Sequence, residues 1–157
     1  MLTTAGAAVV LTTAGCNPFA TTKTTRTVTT QAPPPIDPMD TLIASTRLHL
    51  LRLDAGIKLG GDTATRLTSL RNDRTAHLRR LLDEQARVNR TTAAPMTVAG
   101  AQVDPPKDGK AALAAAAEDA AAAQLAFSDQ LANVSRYRAA LFASIAACLS
   151  SHRVVLS

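Results

Sequence analysis

Three side chains have the types and spacing of metal ligands: His77, Glu118 and His152. Two imidazoles and a carboxylate suit a borderline divalent ion. His77 falls on the helical stripe Leu67, Leu70, Arg74, His77, Leu81, Gln85 and Val88. His152 falls on Tyr137, Leu141, Ile145, Cys148, His152 and Val155. Both imidazoles therefore point inward if these stripes form the core. Glu118 stands beside a third stripe, Leu113, Ala117, Ala120, Gln124, Phe127 and Leu131. The competing reading is structural, with each histidine partly buried and hydrogen-bonded to a neighbour, or at an edge reaching solvent. His49 flanks the first apolar stripe and is expected to be exposed. Cys148 is expected to be a small buried residue.

Other chemistries find no support. A di-iron centre of the ferritin kind takes a Glu from each of two helices and Glu-x-x-His from two more. The chain has only Glu84 and Glu118, and no Glu-x-x-His. No Gly-x-Ser-x-Gly, Ser-x-x-Lys or phosphate-loop pattern is present. The reading is therefore non-catalytic and without a resident cofactor; its alternative is the three-ligand metal site, and a third reading is a lipid-carrying bundle whose alanine-lined interior admits an acyl chain. A net charge of +5 gathers on arginines of the second helix, including Arg71, Arg74, Arg79, Arg80 and Arg87. These form a candidate surface for anionic lipid or a cell-wall polymer, or a solvated face of Asp/Arg pairs such as Asp83 with Arg79, Arg80 and Arg87. Nucleic acid is not expected, since aromatics make up only 3% and do not interleave with the basic residues.

Four helices must position these groups. The first opens at Asp37-Pro38 or Asp40, carries Met39, Ile43, Thr46, Leu50, Leu53 and Ile57, and ends at Gly60-Gly61. The second runs from Asp62 or Thr63 to about Arg90. Residues 91–109 are a long Pro- and Gly-containing connection that could lie across the bundle. The third starts after Asp108-Gly109, and a break at Asn133-Val134-Ser135 introduces the fourth. The predicted fold is all-α, an up-down four-helix bundle, and residues 38–157 suffice for one domain.

The N-terminus supplies an address. Ala5–Leu11 is a short apolar run, followed by Thr13-Ala14-Gly15-Cys16. Residues 1–15 read as a lipoprotein signal peptide that leaves Cys16 as the lipidation site. A cysteine bearing more than one acyl chain anchors stably. Residues 16–37 read as a Thr- and Pro-rich tether. No later run is expected to span a bilayer. The expected location is the extracytoplasmic face of the cell membrane, and the expected partners are the membrane, through the lipid anchor, and anionic lipid, a cell-wall polymer or another envelope protein.

Three pieces carry a family resemblance: the Cys16 start, the helix Asn72–Glu84 and the tail Ser135–His152. Together they resemble the alanine-rich lipoproteins of actinobacteria, of mycobacterial type, which are similar to ferritin-like helical bundles. The resemblance implies an envelope location and a bundle, and no assigned activity.

Overall fold

A computed structural model describes residues 37–97 and 100–156. The signal peptide, Cys16 and the tether as far as residue 36 lie outside the described residues. The described chain is helical, without strands: α1 (Pro38–Ile57), α2 (Gly61–Asn89), α3 (Gly109–Asp129) and α4 (Arg136–Leu156), with a 3-10 turn at Leu131–Asn133.

Local chemistry sets the ends. The Asp37 carboxylate accepts from the Met39 amide at 3.0 Å, and Pro38 stands in the first turn. Asp108 accepts from the Ala111 amide at 2.8 Å and caps α3. Between α1 and α2 the backbone takes positive φ at Gly60 and Gly61 in succession, a path that side chains with a Cβ resist.

The helices form two hairpins, α1 on α2 and α3 on α4, and α1 also packs along α3. Two apolar clusters fill the interior. One joins Leu53, Leu67, Leu70, Ala112 and Ala116. The other joins Met39, Leu42 and Ile43 to Leu78, Leu81, Leu82, Phe127, Phe142, Ile145 and Leu149. Both α2 and α3 pass from the first cluster to the second, so they run parallel. Strict up-down alternation fails at this step; the directions are up, down, down, up. The connection 90–108 makes this possible, because it reaches about 60 Å at full extension and α2, 29 residues long, spans about 43 Å. It crosses α1 on the way, where Arg47 donates to the Pro95 and Met96 carbonyls.

At one end an ionic knot joins three helices. Glu84, its side chain 2% exposed, accepts from Arg87 at 2.7 Å and from Arg138 at 3.2 Å. Arg138 continues to the α1 cap, Asp37, at 3.1 Å. At the other end Gly56 lets three helices close up: a Cβ there would lie 2.6 Å from Leu67 Cδ1 and 3.2 Å from Ala112 Cβ.

One expectation about membranes changes. By length and composition α4 is apolar enough to cross a bilayer, with a mean hydropathy of 1.6 over its most apolar window. Within the fold, Phe142, Ile145 and Leu149 on this helix are spent on the core.

Candidate metal centre in a buried polar layer

The two apolar clusters are separated by polar side chains, and every helix contributes. From α1 comes His49, 6% exposed; from α2 come Asp73, Arg74 (3% exposed) and His77; from α3 comes Asp119; from α4 come Cys148 and His152 (6% exposed). Burying such groups is unfavourable unless they satisfy one another or a ligand.

The layer has two halves. In the first, Asp119 lies 3.4 Å from His49 Nε2, bonds Arg52, and offers its main-chain carbonyl to Arg74 at 3.4 Å. Burial lowers the His49 pKa to about 3, and the positive charges of Arg74 and Arg52 add to the effect. Burial likewise pulls Arg74 down to about 10, against the pull of Asp119. A cavity of about 10 Å³, room for roughly one water, lies among His49, Arg74, Asp119 and His152. His49 Nδ1 and Arg74 Nη1 are buried without a protein partner.

The second half holds the convergent donors. His152 Nε2 donates to Asp73 Oδ2 at 2.9 Å, and Cys148 Sγ stands 3.5 Å from the same nitrogen. One donor atom from each of Asp73, Cys148 and His152 lies within 4.8 Å of the others. The His77 ring stacks on His152 with centroids 6.5 Å apart and planes at 24°, and its buried Nδ1 has no partner. Helical spacing explains the grouping: Asp73 and His77 are four residues apart on α2, and Cys148 and His152 four apart on α4.

Two chemistries compete for a Cys, a His and an Asp. A nucleophilic relay needs the thiol on one imidazole nitrogen and the carboxylate on the other. Here both meet Nε2. Burial and the Asp73 charge also push the Cys148 thiol up, against Arg74, so it is not poised as a free thiolate. Donors converging on one point suit a cation. A tetrahedral ion with bonds of about 2.0–2.3 Å needs donor separations of roughly 3.3–3.7 Å. The two separations from His152, 2.9 and 3.5 Å, are within a few tenths of an ångström of this, and the Asp73 and Cys148 donors lie within 4.8 Å of each other. Asp73, half-exposed, leaves the position open to solvent. His77, whose pKa burial lowers to about 4, stands neutral beside this group, although its nitrogens are not among the three converging donors.

Of the expected ligands, His77 and His152 come together. Glu118 does not join them: it is exposed, and its neighbour Asp119 turns inward instead, toward His49. His49 is buried, contrary to expectation, because the α1 face includes it beside Thr46 and Leu53. The carboxylate beside His152 is Asp73. Sequence reasoning missed it; the four-residue pairs Asp73/His77 and Cys148/His152 are the signal that could have found it. The arginines do not form one face. Arg74 is buried, Arg71 pairs with Asp54 at 3.0 Å, and Arg87 pairs with Glu84, not Asp83. Arg79 and Arg80 are exposed.

The depressed His49 pKa carries a pH dependence. The fold holds His49 neutral, whereas the unfolded chain protonates near 6.5, so its contribution is present above pH 6.5 and is lost as pH falls toward 3. Asp119, Arg52, Arg74 and His152 face it, and the two guanidiniums oppose its protonation. Denaturant titrations at pH 7 and pH 4.5 are expected to show about 2 kcal/mol more loss in the wild type than in His49→Gln. Equal losses would show that His49 is not held neutral.

Compared with protein-family models, curated proteins and solved structures, the chain matches none.

Proposed function

We propose that this chain is a lipid-anchored helical bundle of the cell envelope that binds a transition-metal ion and has no catalysis of its own. The observation that carries the metal reading is the convergence of Asp73, Cys148 and His152, with the unpartnered His77 ring beside them. Thiolate, imidazole and carboxylate together favour zinc or a similar borderline ion over magnesium or calcium. Binding releases the Cys148 proton, and the thiolate and the Asp73 carboxylate then balance the divalent charge. The address rests on Ala14-Gly15-Cys16 and the tether that follows. A ferritin-like bundle is the fold proposed, and one long crossover between parallel middle helices supports it.

Isothermal titration of the full chain, in a Cys16→Ser background so that Cys148 is the only thiol, tests the site. One Zn²⁺ per chain is expected, and Co²⁺ should give a sulfur-to-metal charge-transfer band. The absence of saturable binding, or a Co²⁺ spectrum without sulfur, would overturn it. Membrane partitioning of the wild type against Cys16→Ser tests the anchor separately.

A further inference from the structure

Met96, Thr97 and Ala101 of the connection cover a groove between α1 and α2 that the metal site does not use. The groove measures about 210 Å³, and Leu50 and Leu51 on one side with Met96 over them give it an apolar lining. Arginines stand at both ends. The Arg71–Asp54 pair closes one end at 3.0 Å. The helices are antiparallel, so Arg79, eight residues on from Arg71, comes level with Arg47 at the other end. Arg47 is held by the Pro95 and Met96 carbonyls, which leave its positive charge uncancelled. Arg79 has no hydrogen-bond or ion-pair partner among the described residues. The lining is thus apolar in the middle, neutralised at one end and doubly positive at the other.

We propose that this groove binds a medium-chain fatty acid, with its carboxylate between Arg47 and Arg79 and its alkyl chain against Leu50, Leu51 and Met96. Two guanidiniums without an acid are complementary to a carboxylate. The volume is below that of pockets for drug-sized ligands, which sets the chain length at medium rather than long. Roughly 12 Å separates Arg71 from Arg79 along α2, so a ligand seated at Arg79 is accommodated before it meets the closed end.

The test titrates the full chain with decanoate below its micelle concentration, using the shift of a ¹³C-carboxyl label. Saturable binding is expected, weakened at least about fivefold in Arg79→Ala and largely restored in Arg79→Lys. Decanol, with the same chain and no charge, should bind at least about tenfold more weakly. Zn²⁺ affinity should be unchanged in Arg79→Ala, which separates this site from the metal centre. No saturable binding, equal binding of decanol, or indifference to Arg79→Ala would each overturn the proposal. So would Arg79-dependent binding to phosphatidylglycerol vesicles that decanoate fails to compete, since that would make the arginines a membrane-surface contact.

Discussion

Replacing His152 by alanine is expected to weaken Zn²⁺ binding by at least about a hundredfold. Even partners one shell beyond the ligands of a metal ion carry about 10–100-fold, and His152 is central among the donors: Asp73 lies 2.9 Å and Cys148 3.5 Å from its Nε2. Without the imidazole, a half-exposed carboxylate and a thiol remain on different helices. Cys148→Ser keeps nearly the same volume and should fold, yet it removes the only soft donor, so Zn²⁺ affinity falls and the Co²⁺ charge-transfer band disappears. Because a ligand that binds only the native state stabilises it by about 2.7 kcal/mol at a hundred times its Kd, saturating Zn²⁺ should raise the wild-type Tm and leave both variants unmoved. His77→Ala discriminates further. If His77 supplies the fourth ligand, affinity drops; if water fills that position, affinity holds while the three-ligand site survives. A His152→Ala protein that binds Zn²⁺ as tightly as the wild type would remove the site altogether.

Helix ends were legible in the sequence because single residues set them. Asp37-Pro38, Gly60-Gly61 and Asp108-Gly109 act through caps and positive φ, which depend on a few neighbouring atoms. Helix faces were legible where large and small side chains alternate. Leu67, Leu70, Arg74 and Leu81 are buried as their spacing requires. On α3 the face was misassigned, since a run of alanines has nearly uniform hydrophobicity and periodicity has nothing to select. The buried face is Ala112, Ala116, Ala120, Ala123 and Phe127, whereas Ala117 and Gln124 were expected inside. The same uniformity turned α4: Tyr137 and Val155 are 62% and 57% exposed, and Phe142 and Leu149 are inside.

That rotation of α3 by one residue decided the candidate site. It exchanged Glu118 for Asp119, and so placed the α3 carboxylate beside His49 instead of His152. The direction of α3 was equally hidden. A connection such as 90–108 can return at the near end or cross the full length, and its sequence does not say which. Only the packing of Ala112 with Leu53, and of Phe127 with the other cluster, fixes it. The polar layer was half legible. Inward His77 and His152 were expected; a buried His49 and a cluster drawn from all four helices were not, because they depend on how the helices are registered against one another.

The alanine content of α3 leads to the second large effect, a loss of about 3–5 kcal/mol in Phe127→Ala. Every other fully buried residue on α3 is an alanine. Each buries little area, so Phe127, 0% exposed, supplies most of the apolar surface that holds this helix to its neighbours. It meets Phe142 of α4 edge to face, with centroids 5.5 Å apart and planes at 70°. Such a pair adds about 0.5–1.5 kcal/mol beyond burial, which a cycle with Phe142→Ala should recover as coupling. Alanines at 116, 120 and 123 are too short to refill the space, so the cavity persists and the cost stays near the upper part of the range. Domains of this size have about 5–15 kcal/mol in total, so Tm should fall by at least about 10 °C. Leu125→Ala also truncates an apolar side chain on the same helix, at a position 63% exposed, and should leave Tm within a degree or two. If calorimetry gave the two variants equal shifts, α3 would be held by the sum of its alanine contacts, and the single-anchor account of its packing would be wrong.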